Sequence, residues 1–301
     1  MVNILETYMS VLHGFLRLRG MKPQQVEIEA GTHMHFWVPT RTQTKTTSDK
    51  PALVFLHCFG LTGILTWQYQ ALSLAGSYEV YVPDFLFFGR STTDKTDRSP
   101  EFQAECVAKS LKKLGVEKCI VIGLSYGGIV GLKMAEKYPD LVKSVVVSCS
   151  IMALTESFIS DGLKRIGFSS LSELLIPRTV KDVRKTFEVT TYNLPWYSHF
   201  IGKGLLKMMS DNRKEREQLL QALIIKDKEL TIPHFSQKKM YLLWGENDRI
   251  FNMESAEKLK EQLNGRATMH IIKKAGHMVV IERPFSYNTL LKKMLSSICQ
   301  D

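Results

Sequence analysis

The sequence predicts an α/β protein: a mostly parallel, eight-stranded sheet with helices on both faces and a helical cap inserted after the sixth strand. Three observations predict it. Short apolar runs alternate with amphipathic stretches along most of the chain, the pattern of parallel strands buried on both faces. Residues 151–237, 87 positions, contain helix-like pieces but no clear buried strand, and are far too long for a connecting loop. The 301 residues are 44% apolar and 23% charged, which suits a globular chain able to bury a large core and excludes a disordered or fibrous one.

Taken in order, residues 3–19 place Ile4, Leu5, Tyr8, Val11, Leu12, Phe15 and Leu16 at helical spacing and predict an amphipathic helix ending near Gly20. Residues 26–38 read as a hairpin turning at Ala30-Gly31, and the polar stretch 40–50 reads as a loop. Apolar runs at 52–57, 79–85, 119–124, 144–149, 240–245 and 268–272 supply six more strands. Helical segments fall near 63–75, 101–114, 127–138, 254–264 and 284–298. The expected organisation is an N-terminal helix (1–24), a core built from 25–150 and 238–301, and a cap (151–237) rich in Phe, Leu, Ile and Met. The chain shows no internal repeat and no low-complexity segment.

The net charge of +10 is spread thinly: +2 over residues 1–50, +1 over 51–150, +3 over 151–237 and +4 over 238–301. A nucleic-acid footprint concentrates its basic residues on one element, so no nucleic-acid partner is expected. Cys58, Cys106, Cys119, Cys149 and Cys299 are odd in number, widely spaced and without a C-x-x-C pair. That argues against a disulfide framework or a zinc site and for a reducing, cytoplasmic setting. No run reaches the roughly 18 apolar residues a membrane span needs. A signal peptide is not expected: the first basic residue is Arg17, and Glu6 and His13 interrupt the N-terminal apolar stretch. The 3–19 helix packs on the domain or, alternatively, makes a peripheral membrane contact. The sequence does not fix the oligomeric state.

The chemistry concentrates at Cys119-Ile-Val-Ile-Gly-Leu-Ser125-Tyr-Gly-Gly-Ile-Val130, where a buried strand runs straight into Gly-x-Ser-x-Gly and a helix. A nucleophile at the apex of so sharp a turn needs small neighbours two residues away on each side, which Gly123 and Gly127 supply. Serine is a weak nucleophile without a base to take its proton. His277, in Ala-Gly-His277-Met after the last strand, is the candidate base. Asp248, in Trp-Gly-Glu-Asn-Asp248-Arg after the preceding strand, is the candidate acid; Asp84 lies before the nucleophile, in the wrong order. All three positions fall at carboxyl ends of parallel strands, where open α/β sheets place their sites. Oxyanion donors are expected from the backbone N–H of Tyr126, directly after the nucleophile, and of Phe59, in the loop after the 52–57 strand.

With these residues in place, the chain resembles capped α/β-hydrolase-fold serine hydrolases, and is most similar to monoacylglycerol-lipase-like and plant carboxylesterase-like members. The likeness runs from about residue 25 onward. It rests on His57-Cys-Phe-Gly, Pro83-Asp-Phe-Leu-Phe-Phe-Gly-Arg-Ser91, Gly-Leu-Ser125-Tyr-Gly-Gly, Trp-Gly-Glu-Asn-Asp248 and Ala-Gly-His277. The resemblance implies Ser125 as nucleophile, Asp248 as acid, His277 as base, the Phe59 and Tyr126 amides as oxyanion hole, and no metal or organic cofactor. Two departures stand out: Cys58 where the family usually has glycine, and the bulky run Phe85-Leu86-Phe87-Phe88. His57, Phe85, Phe87, Phe88 and Trp196 are expected to contact substrate.

The expected activity is hydrolysis of a carboxylic ester carrying an apolar or aromatic group, a small molecule held under the cap. Related epoxide hydrolases and haloalkane dehalogenases use an aspartate at the elbow, where this chain has Ser125. Acyltransferase relatives carry an aspartate five residues after the histidine, where this chain has Glu282. C–C bond hydrolases and acyltransferases can use the same triad, and receptor-like relatives keep it with slow turnover, so all three stay open as alternatives.

Overall fold

The computed structural model describes residues 4–40, 50–193 and 199–300, with the backbone alone for 199 and 200. Its principal strands are β1 (Met21–Glu29), β2 (Thr32–Pro39), β3 (Ala52–Leu56), β4 (Glu79–Pro83), β5 (Cys119–Leu124), β6 (Val142–Ser148), β7 (Met240–Gly245) and β8 (Ala267–Ile272). They lie in the order β1-β2-β4-β3-β5-β6-β7-β8. β1 and β2 form the hairpin around Ala30-Gly31, β2 runs antiparallel to β4, and all later pairings are parallel. A two-residue strand, Thr92–Thr93, also pairs with β2.

Position in the sheet explains the burial of each strand. β3 and β5 sit at the centre and are buried at every residue, which is why their sequences are unbroken apolar runs. β8 is the edge strand and exposes Thr268 and Ile271. Helices α1 (Ile4–Leu18), α2 (Gly63–Leu74), α3 (Pro100–Lys113) and α4 (Tyr126–Lys137) precede β6. α10 (Met253–Gln262), α11 (Val279–Glu282) and α12 (Pro284–Cys299) follow β7. Local sequence sets several ends: Pro100 opens α3 behind Ser99, whose side chain accepts from the Phe102 amide, and Asn252 caps α10 through the Ser255 amide.

Between β6 and β7 lie α5 (Glu156–Ile166), α6 (Leu171–Leu175), α7 (Val180–Thr190), α8 (His199–Ser210) and α9 (Arg213–Leu223). The insertion also contains strand, contrary to the purely helical expectation: Leu154–Thr155 and Ile224–Ile225 pair in parallel at its base. Two residues on each side are too few to show a period in sequence.

Most buried apolar residues form one core around Phe55, Trp67, Trp244 and Tyr287. A second, small cluster of Leu163, Phe168 and Leu174 lies within the insertion. All five cysteines are free, and only Cys299 is exposed. Among the described residues, no helix is long and apolar enough to cross a membrane. The expected loop over 40–50 falls mostly outside the described residues.

Candidate active site

β5 ends at Leu124 and α4 begins at Tyr126, so the whole turn falls on Ser125, held at φ 55° and ψ −119°. That left-handed φ is uncommon for a residue with a side chain and marks a strained turn. The flanking glycines make it sterically possible. A Cβ on Gly123 would lie 2.2 Å from the carbonyl oxygen of Gly127, and one on Gly127 would lie 2.2 Å from that of Leu56. The backbone of Ser125 is fixed on both sides: its N–H donates to Ser148 O at 3.0 Å, and its carbonyl accepts from Ser150 Oγ at 2.6 Å. The half-buried hydroxyl is thus presented at the carboxyl end of the sheet by backbone contacts alone.

Asp248 follows β7 in a tight turn. Its Oδ1 accepts from the N–H groups of Ile250 at 2.8 Å and Phe251 at 3.0 Å, and its Oδ2 lies 2.9 Å from His277 Nδ1. Both side chains are buried. An ionised carboxylate only accepts, so Nδ1 carries the proton and Nε2 keeps its lone pair. Cys149, just past β6, stands beside them: one donor atom each from Cys149, Asp248 and His277 lie within 4.8 Å of one another. The grouping suits a metal poorly. Burial, reinforced by Asp248, pushes the Cys149 thiol well above its usual range, so it stays protonated, and both Asp248 oxygens are already engaged. The Gly245 N–H donates to its sulfur at 3.5 Å.

Ser125 and His277 line one cavity whose walls are mostly apolar. No hydrogen bond joins Ser125 Oγ to the His277 ring, and such contacts commonly tighten only when substrate binds. Phe59, Tyr126, Ile129 and Phe251 line the core side of the cavity. The insertion supplies the opposite wall, including Phe158, Ile159, Leu163, Leu174 and Leu223. The N–H groups of Phe59 and Tyr126 donate to no carbonyl or side chain among the described residues. Cys58 does not distort the loop that carries Phe59: it is absent from the residues with positive φ, so a Cβ is tolerated there.

The structure corrects the expected substrate contacts. His57 is fully buried outside the cavity; its Nδ1–H donates to Cys58 O at 2.7 Å, and its Nε2 accepts from Phe85 N–H at 2.9 Å. It joins the loop after β3 to the 85–91 loop. Phe85, Phe87 and Phe88 are also buried and do not line the cavity. Phe85 and Phe88 instead pack edge-on against Tyr126 and Phe59, bracing the candidate oxyanion donors from behind. Trp196 lies outside the described residues. Asp84, the rejected acid, forms a separate buried pair with His35 at 2.9 Å and accepts from the Gly63 N–H at 2.7 Å.

Burial holds the His57 ring down to about 4, below the 6.5 of an unperturbed histidine. Between those values the unfolded chain binds more protons than the folded one. Stability is therefore full above pH 6.5 and declines as pH falls toward 4, by about 3 kcal/mol from this group. The melting temperature should fall over that interval, and His57→Gln should flatten the fall; an unchanged slope would refute the assignment.

Two further residues support the site. Glu282 accepts from the Gly276 N–H at 2.7 Å, next to His277, and from the Tyr192 N–H at 2.8 Å, just past α7. It ties the histidine loop to the insertion. Glu282→Ala is expected to lower kcat roughly 10- to 100-fold by loosening His277, with Glu282→Gln recovering part of the loss; equal kcat in all three proteins would remove this role. Arg216 of α9 is buried, with its guanidinium over the Phe88 ring at 4.1 Å. Its Nε donates to Phe87 O at 3.0 Å and its Nη1 to Met208 O at 2.8 Å. Burial brings its pKa down to about 10, so it remains charged near neutrality. Sequence patterning finds neither role, because both side chains bond to backbone atoms of distant segments.

A serine at the apex of a strand–turn–helix, sharing a cavity with a histidine whose ring is paired to an aspartate, each past a later parallel strand, defines an α/β-hydrolase site. The chain belongs to the α/β-hydrolase-fold family, whose model matches residues 51–284. Human epoxide hydrolase 4 is 24% identical over 270 residues, covering 80% of this chain and 71% of that protein. Monoacylglycerol lipase abhd6-A of Xenopus laevis is 24% identical over 205 residues, covering 65% and 60%. Among solved structures, 2-hydroxy-6-oxo-6-phenylhexa-2,4-dienoate hydrolase from Rhodococcus sp. strain RHA1 superposes with a TM-score of 0.74 at 20% identity, covering 93% and 99%. That last likeness shows the fold.

Proposed function

We propose that the chain is a serine hydrolase of carboxylic esters with an apolar acyl or aromatic group, and that the insertion acts as the cap over its site. The observation that carries this reading is the shared cavity: Ser125 and His277 both line it, the ring is backed by Asp248 at 2.9 Å, and the walls are mostly apolar. Ser125 Oγ attacks the ester carbonyl while His277 Nε2 takes its proton. The N–H groups of Tyr126 and Phe59 receive the oxyanion. His277 returns the proton to the departing alcohol, and water, deprotonated by the same ring, releases the acid and frees Ser125. Asp248 holds the ring and stabilises its charged form. Serine at the elbow supports this chemistry over that of the epoxide hydrolases, which use aspartate there.

A fluorophosphonate probe followed by peptide mapping tests the nucleophile without knowledge of the natural substrate. Labelling confined to Ser125 is expected in folded protein and absent after heating. A series of p-nitrophenyl esters then tests the pocket: kcat/KM should rise from acetyl toward medium-length acyl chains. Preference for acetyl would rule out the apolar pocket, and ligand binding without labelling or turnover would favour the receptor-like alternative.

A further inference from the structure

Helix α1 carries apolar side chains on two adjoining faces. Leu12 and Leu16 are buried in the core, and Leu5 lies against Gly204 of α8. Ile4, Tyr8, Val11, Phe15 and Leu18 remain 42–83% exposed. At about 100° per residue they fall on one strip roughly 80° wide along the whole helix. The Tyr8 hydroxyl donates to Gln68 on α2, and the next residue, Tyr69, is 40% exposed and extends the strip. Of ten exposed large apolar side chains among the described residues, five sit on this one helix. Scattered apolar residues are normal on a surface; a contiguous strip marks a contact.

The surrounding charge indicates what the strip meets. Arg17, Arg19 and Lys22 are exposed at its carboxyl end. Glu6 is the only acidic residue among the first 26, and its carboxylate lies 3.9 Å from Lys207 Nζ. We infer that α1 lies in the interface of an acidic lipid surface, its strip among the acyl chains and its flanking cations at the headgroups. With 15 residues, α1 is too short to cross a bilayer and suits an in-plane position. A second copy of the same face fits worse, because it would bring like charges together. The inference is independent of the hydrolytic reading.

Flotation of the full chain with vesicles tests it. Binding is expected to phosphatidylcholine vesicles containing phosphatidylserine, weaker to phosphatidylcholine alone, and reduced by salt. The double variant Phe15→Glu/Leu18→Glu should lose binding by on the order of tenfold or more with an unchanged melting temperature, since both side chains are exposed. Arg17→Glu/Arg19→Glu should lose only the preference for phosphatidylserine. No flotation with acidic vesicles, or flotation that the Phe15→Glu/Leu18→Glu protein retains, would overturn the proposal. So would a dimer in sedimentation that the same variant dissolves, which would assign the strip to a second copy.

Discussion

Ser125→Ala and His277→Ala are each expected to lower kcat by about 10⁴- to 10⁶-fold, and Ser125→Ala to abolish fluorophosphonate labelling. The reason is that the two act as one unit. The serine hydroxyl is inert without a base, and the imidazole has nothing to activate without the hydroxyl. The loss should be purely chemical. Ser125 is held by its backbone N–H and carbonyl, so alanine keeps every bond that shapes the turn. Equal melting temperatures with collapsed turnover are the expected pair of results, and a Ser125→Ala protein that keeps its rate would defeat the mechanism. The double variant should be scarcely slower than either single one.

Asp248→Asn is expected to cost on the order of 10³- to 10⁴-fold in kcat while the fold persists. Asparagine can keep its carbonyl oxygen on the Ile250 and Phe251 amides that Asp248 Oδ1 now serves. Its NH₂ then faces His277 Nδ1 in place of Oδ2 and favours the tautomer with the proton on Nε2, which cannot accept from serine. Asp248→Ala is a poorer probe, because it leaves the buried Phe251 amide and the partly buried Ile250 amide without their acceptor, at a cost of roughly 1–3 kcal/mol for the buried one. Single-turnover rates for the asparagine variant separate the effect on chemistry from any effect on binding. Little change in the acylation rate would show that His277 is oriented by other contacts.

The parts of the molecule legible in sequence were those whose constraints are local. Gly123 and Gly127 are required by atoms within a few residues or on the neighbouring strand, and the strand–helix rhythm comes from uninterrupted burial. Asp248 and His277 could be placed because each follows an apolar run whose end fixes the end of a strand. Phe85, Phe87 and Phe88 misled because an aromatic run reads alike whether it faces a ligand or the back of an oxyanion loop. His57 misled for a related reason: a histidine beside a site can be a bridge between two loops, and only its two hydrogen bonds reveal that. The cavity wall was the least legible part, since Phe158, Leu174 and Leu223 come from helices whose packing follows no sheet register.

The small cluster of Leu163, Phe168 and Leu174 bears on how substrate range can change. α5 and α6 pack on these three side chains and reach the main core only through partly buried residues such as Phe158 and Leu175, while α9 is clamped by the Arg216 hydrogen bonds to Phe87 and Met208. One part of the cavity wall therefore leans on a small cluster of its own, and the other is tied to the core by hydrogen bonds. Remodelling Ile159 or Leu171 would reshape the space above Ser125 while the sheet and its catalytic turn stay intact. Drift in substrate preference within such a lineage should then be written in α5 and α6, with the residues around Arg216 kept constant as a hinge post.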